Sequence, residues 1–327
     1  MTTMTRRSAL LAAPSLLLLA SAGRSVAQTY PDSNIRVLCA FPPGVGLDQM
    51  VRYFGNKLQA ICGRTVVVEN RPGAGGAIAT EALVRAKPDG YTIFVHAGNA
   101  LAANQHLMKN NQVDVREKIV IASTISKQAF MLAVNAAAPF NTLPELTAHL
   151  KTKGDKATFA TGSVGAGVGD VMGALYNQKM GLQAVAVNFK TPDASLNDLM
   201  SGQLDYGCYD PAFAIAQQKA GRLRILGVAS SDRRRSMPDV HTMTELGIPM
   251  DLLGWFAVML PTGTDAAIVN QLNTWTKQII GDPETMKFLS IFGGDPWVST
   301  PQEGQARLNQ DIAAWGEYVR IAKMTPQ

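Results

Sequence analysis

The strongest constraint in this 327-residue chain is a rhythm: short β-branched runs, each closed by a glycine- or proline-rich breaker and followed by apolar positions at helical spacing. Ile35–Ala40 is one such run, and Phe41-Pro42-Pro43-Gly44-Val45-Gly46 breaks it. Met50, Val51, Phe54, Leu58 and Ile61 then recur at the interval of one helix face. The run Thr65–Val68, the breaker Asn70–Gly76 and a helix over about 77–86 repeat the pattern. Tyr91–Val95 and His96-Ala97-Gly98-Asn99 begin it again. A second series has strands near 131–134, 157–161, 184–189, 204–209 and 223–229, with helices at 143–150, 170–180, 196–200 and from Pro211. The tail reads as a strand at 256–260 and helices at 266–280 and 301–321. Such alternation predicts an α/β architecture of mainly parallel sheets flanked by helices.

The first residues stand outside that rhythm. Arg6 and Arg7 precede the apolar run Ala9–Ala20, and Ser25-Val26-Ala27 offers small residues where a signal peptidase cuts. This is the form of an export signal over 1–27, and the apolar run is too short for a comfortable membrane span. Both the Sec and the twin-arginine routes fit it. Removing Arg6, Arg7 and Arg24 lowers the 30 basic residues to 27, against 25 acidic, for a mature net charge of +2. The basic character thus belongs partly to the signal, and nucleic-acid binding has little support. Cys39, Cys62 and Cys208 show no metal-ligand spacing. A Cys39–Cys62 disulfide and buried free thiols both remain open.

In open parallel sheets, ligands sit beyond the carboxyl ends of strands. Here those positions carry Gly44 and Gly46, Gly73, Gly75 and Gly76, Gly98, then Gly162, Gly165 and Gly167. Glycine lets backbone approach a guest closely, and the amides of a helix start favour an anion. One glycine loop is explained by a tight turn alone; four on successive units point to a binding site. No Walker sequence occurs, and Gly165–Gly169 matches a dinucleotide fingerprint only loosely. Neither HExxH nor Gly-x-Ser-x-Gly is present. The expectation is a binding protein without cofactor or metal, not an enzyme. Asp232-Arg233-Arg234-Arg235 reads as a solvated turn, with a docking patch for a membrane partner as the alternative.

Several segments resemble the tripartite tricarboxylate transporter receptors, also called Bug proteins. They are Tyr30–Asp48, Val68-Glu69-Asn70-Arg71-Pro72-Gly73-Ala74-Gly75-Gly76, Lys87-Pro88-Asp89-Gly90-Tyr91-Thr92 and Leu196–Asp205. The likeness continues through Ala220-Gly221-Arg222-Leu223-Arg224, Met237-Pro238-Asp239-Val240, Leu260–Thr264 and Trp315-Gly316. The resemblance implies a two-lobed periplasmic-binding-protein type II fold, with 28–128 plus 255–327 as one lobe and 129–254 as the other. It also implies a periplasmic monomer that captures a small organic acid by hinge closure and delivers it to membrane permease subunits. A sensor subunit signalling to a membrane kinase and an exported enzyme are the alternatives.

Carried over by position, the resemblance implies ligand contacts from Phe41, Gly44, Val45, Gly46, Leu47, Asp48, Gly73, Ala74, Gly75, Gly76, His96, Gly98 and Asn99. The second series would add Gly162, Ser163, Val164, Gly165, Ala166, Lys190, Thr191 and Asp210. Gly44-Val45-Gly46-Leu47-Asp48 departs from the family's usual Gly-Gly-Gly-Thr-Asp. Leu47 removes a hydroxyl and Val45 adds bulk, so the expected guest has an apolar or aromatic body. Lys190 is expected to pair with a carboxylate, Asp48 to cap its helix, and Asp210 to orient water or an amine.

Overall fold

The computed structural model describes residues 30–44, 46–109, 113–162, 167–189, 191–235 and 237–326. The expected export signal lies outside the described residues, as do Val45, Ser163, Val164, Gly165, Ala166 and Lys190.

Strands β1 (Ile35–Cys39), β2 (Val66–Asn70) and β3 (Thr92–Ala97) run parallel, with Ile35 opposite Val66 and Arg36 opposite Thr92. Their side chains alternate between two cores, as pleating demands. Val37, Ile93 and Val95 meet Met50, Phe54 and Leu58 of α1 (Gly46–Cys62). Leu38 and Phe94 face the other way, toward Leu83 of α2 (Ala77–Val84) and Leu101 of α3 (Gly98–Leu107). After a single turn of helix, α4 (Val115–Lys118), the chain enters β4 (Ile119–Ala129). This eleven-residue strand went unanticipated, because Ile119–Ala129 mixes serine, threonine and apolar residues without clean alternation.

Phe130 alone separates β4 from β5 (Met131–Asn135), which belongs to a second sheet. That sheet adds α5 (Leu143–Lys153), β6 (Thr158–Gly162), α6 (Val168–Met180), β7 (Val185–Phe189), α7 (Pro192–Met200), β8 (Tyr206–Tyr209), α8 (Pro211–Lys219) and β9 (Leu223–Val228). Its order is β7-β6-β8-β5-β9. The chain then returns to the first sheet as β10 (Leu253–Pro261). It ends with α9 (Ala266–Gly281), α10 (Pro283–Ile291), the short β11 (Asp295–Pro296) and α11 (Pro301–Ile321). The first sheet is ordered β11-β4-β10-β3-β1-β2.

The expected parallel arrangement holds for β2-β1-β3 and β7-β6-β8. Strands β4, β5, β9 and β10, which carry the chain between the sheets, pair antiparallel, so each sheet is mixed. The consequence for function is positional. Parallel pairing brings the loops after β1, β2 and β3 to one edge of the first sheet. It does the same for the loops after β6, β7 and β8 in the second.

One apolar cluster runs through both halves, from Leu38 and Phe94 through Trp255, Leu308 and Trp315 to Leu132, Phe159 and Tyr206. Helix α11 supplies much of that continuity, packing on α3 and β4 and reaching α6. One open question closes on the free-thiol side, with Cys39 and Cys208 buried and Cys62 partly exposed, and one local expectation changes. All three cysteines are free thiols. Helix α1 runs back along the sheet, leaving Cys62 at the opposite end of β1 from Cys39. The Asp232–Arg235 run is not a simple solvated turn: Arg234 is buried with its Nη1 3.6 Å from Asp295, and Arg233 binds Glu245 at 2.9 Å.

Candidate functional site

Helix starts in this protein divide into two kinds. Asp114, Thr142, Thr191, Asp210, Asp265, Asp282 and Thr300 each accept an amide at the start of their own helix, α4, α5, α7, α8, α9, α10 and α11. The starts of α2 at Gly76, α3 at Ala97 and α6 at Gly167 have no side-chain cap. The short 3-10 turn Ala74–Gly76 ahead of α2 is also without one. The first amides of a helix have no intrahelical acceptor, and together they present partial positive charge. These uncapped starts lie in the glycine-rich loops at the carboxyl ends of β2, β3 and β6. At the carboxyl edge of the second sheet, α7 and α8 carry polar caps from Thr191 and Asp210, so the starts left open to an anion are those that follow glycine-rich loops.

The two sheets contribute to one place. Asn99 in the first turn of α3 and Val168 at the start of α6 line the same cavity of about 20 Å³. That is room for a water-sized guest. Asp251, Leu252 and Leu253, where the chain returns to the first sheet, line it too, with Arg307, Asp311, Trp315 and Tyr318.

Under the α2 start lies His96. Its ring is 2 % exposed and stacks on Phe94, with centroids 4.9 Å apart. Phe41 tilts against it at 5.2 Å. Neither ring nitrogen has a hydrogen-bond partner among the described residues. Burial pushes the imidazole down to about 4, against a weaker upward pull from the Gly75 backbone, so the ring is neutral at physiological pH. The glycines above it have packing reasons of their own. A Cβ on Gly76, whose φ is +97°, would stand 2.4 Å from His96 Nε2. Gly75, at φ +59°, is held by Asn104 Nδ2, which donates to its carbonyl at 3.1 Å.

The loop after β1 is organised by Asp48. Rather than occupying the cap position of α1, Asp48 sits in its first turn and reaches back to accept the Gly44 N–H at 2.8 Å. Arg52 Nε donates to the same oxygen at 2.9 Å, and Asn70 Nδ2 donates to the other at 2.7 Å. Burial opposes the charge, but Arg52, the Gly44 amide and Asn70 outweigh it and hold the carboxyl at about 2. Asn70 also donates to the Phe41 carbonyl at 2.9 Å, so this network ties the loops after β1 and β2 together. Asp48 is therefore positioned to shape the site from behind.

In the second sheet, Thr191 and Asp210 spend their side chains on the amides of Ala194 and Phe213. Burial raises the Asp210 carboxyl, against the Phe213 and Ala212 amides. Asp170, in the first turn of α6 and not foreseen, is likewise raised by burial, with Thr161 pulling the other way. Among the described residues, no three His, Cys, Asp or Glu side chains gather as a metal site requires.

Residues 50–323 match the family described as the tripartite tricarboxylate transporter family receptor. The chain belongs to that family. The Bug relatives agree: Protein BugT of Bordetella pertussis is 31% identical over 296 residues, 90% of each chain. The periplasmic binding protein BugD superposes with a TM-score of 0.73 at 25% identity, over 91% of this chain and all of BugD. Rpa4515 of R. palustris, solved with adipate, shares the fold at a TM-score of 0.78 and 23% identity, over 91% of this chain and all of its own. No helix among the described residues of this receptor is long and apolar enough to cross a membrane. Within the receptor, the positions taken from sequence separate by what their atoms do. Gly73–Gly76 and Gly98 form uncapped helix starts, Phe41 and His96 pack together, and Asp48, Thr191 and Asp210 satisfy their own backbone.

Proposed function

We propose that this receptor captures a small organic carboxylate between two lobes, 28–128 with 255–327 and 129–254, and hands it to the membrane subunits of a tripartite permease. The reading rests on one observation: α2, α3 and α6, which follow glycine-rich loops at the carboxyl ends of β2, β3 and β6, start without side-chain caps. The Gly73–Gly76 loop and Gly98-Asn99 would hold the anion from one side, and the loop 162–167 with Lys190 from the other. Micromolar binding needs about 8 kcal/mol net. A few charge-assisted hydrogen bonds of roughly 1.5–3 kcal/mol each supply that after ordering costs. A ligand favouring the closed arrangement shifts the population toward it.

Leu47 and the half-buried Phe41 ring favour an acid with an apolar or aromatic body. The adipate held by Rpa4515 supports a carboxylate with a methylene spine. Residues 1–27 act in this reading as a cleaved export signal, by the Sec or twin-arginine route, and the mature receptor works as a periplasmic monomer. Titration calorimetry with citrate, glutamate, adipate and benzoate tests the proposal. Micromolar binding of adipate or benzoate is the expected result. Tight binding of citrate alone removes the preference for an apolar body, and heat from none of the acids, with nothing small released on denaturing the purified protein, overturns the carboxylate reading.

A further inference from the structure

A histidine buried to 2 % exposure with neither ring nitrogen hydrogen-bonded to a described residue is costly, because burial strips its hydration and the Gly75 backbone offsets that only weakly. The surroundings explain why folding does not relieve that cost. Phe94 stacks on one face, Phe41 tilts against the ring, and Gly76 approaches so closely that a Cβ there would stand 2.4 Å from Nε2. An apolar side chain would fill this space without leaving polar atoms stranded. A neutral imidazole offers one N–H donor and one acceptor. The donor stands directly beneath an uncapped helix start, where an anion is already favoured by the amides of α2.

We propose that His96 is the specificity-determining donor of the site: its ring N–H, for which no described residue offers a hydrogen-bond acceptor in good geometry, donates to one oxygen of the ligand carboxylate at the α2 entrance. This rests on the carboxylate reading above and deepens it. Because the ring is wrapped by Phe41 and Phe94, it rewards a carboxylate carried on an apolar body that lies along Phe41. A heavily hydrated polyacid would leave its remaining charges against those rings. Burial of this ring costs stability, and a guest carboxylate oxygen that accepts its N–H would recover part of it.

Two substitutions and one spectrum test this. His96→Leu removes the donor and the stranded atoms together. Its melting temperature should equal or exceed that of the wild type, while affinity for the tightest binder among adipate, malate, citrate and benzoate falls by about tenfold or more, the loss of one charge-assisted hydrogen bond. His96→Gln keeps an N–H donor and should retain more of that affinity than His96→Leu. In 15N-labelled wild-type protein, the His96 ring N–H signal should move downfield on saturation with that acid. A leucine variant that binds as tightly as wild type, or a ring signal unmoved by a bound acid, overturns the proposal while leaving the carboxylate reading intact. If no acid binds wild-type protein, both fall together. If His96→Leu does not fold, the ring signal decides alone.

Discussion

The Trp255 indole Nε1–H donates to Asp311 Oδ2 at 2.6 Å, and the adjoining Cε2–Cζ2–Cη2 edge of that indole closes over Gly98 at the start of α3. One side chain thus joins α11 to a candidate ligand loop. Arg307 holds the second Asp311 oxygen at 2.7 Å and reaches Asp251, at the return to the first sheet, at 3.8 Å. Trp255 N also donates to Asn99 Oδ1 at 3.4 Å. The loop that begins α3 is therefore braced from behind by a buried aromatic, not set by backbone preference alone.

Gly98→Ala tests that brace. A Cβ there meets three Trp255 ring atoms at 2.2–2.5 Å, and the ring cannot retreat without breaking its bond to Asp311. Chemical denaturation should show a loss of about 1–3 kcal/mol, the usual cost of overpacking. Ligand affinity should fall with it, because the α3 start is displaced.

Gly75→Ala separates strain from space. With φ at +59° and Asn104 Oδ1 3.1 Å from the new Cβ, the substitution should cost about 1 kcal/mol and weaken carboxylate binding measured by calorimetry. Gly181→Ala is the control: its φ of +64° imposes similar strain, but nothing lies within 4 Å. That variant should lose comparable stability and bind as well as wild type.

The Asp48 network sets an acid limit. Its folded value of about 2 lies below the ordinary 3.8, so ionised Asp48 favours the folded state. The contribution, about 2 kcal/mol, is complete above pH 3.8 and disappears as pH falls through about 2. Urea midpoints measured from pH 5 to pH 2 should fall more steeply in wild type than in Asp48→Asn. At pH 7 the variant should be less stable by about the same amount.

Asp295→Ala should strand Arg234. Both side chains are buried, Arg234 Nη1 is 3.6 Å from Asp295, and the Arg235 amide donates to the same carboxylate at 3.3 Å. Removing one partner of a buried pair costs about 3–5 kcal/mol. Differential scanning calorimetry should show a clear drop in melting temperature, larger than for Arg233→Ala, whose partner Glu245 is well exposed.

The glycine-rich loops that make up the candidate site were legible because their signals are local. Gly73, Gly75, Gly76 and Gly98 each follow a β-branched run, and the break between strand and helix is written in adjacent residues. Other parts lay beyond local reading. Asp48 turns out to serve Gly44, Arg52 and Asn70, and Asp210 serves Phe213. Choosing between helix amide and ligand as partner depends on which atoms the fold brings within 3 Å. Asp170 and β4 gave no distinctive pattern at all.

The alternation of strand, breaker and helix, together with the placement of glycine, was enough to establish the α/β class and the glycine-rich turns at its strand ends. Periodicity and backbone freedom are properties of neighbouring residues, so they survive in a bare sequence. Tertiary structure alone decided which helix starts stay uncapped, that Trp255 links Asp311 to Gly98, and that His96 is buried with neither ring nitrogen hydrogen-bonded among the described residues. Those facts depend on burial and on contacts between residues far apart in the chain, where desolvation and packing, not local preference, set the energy.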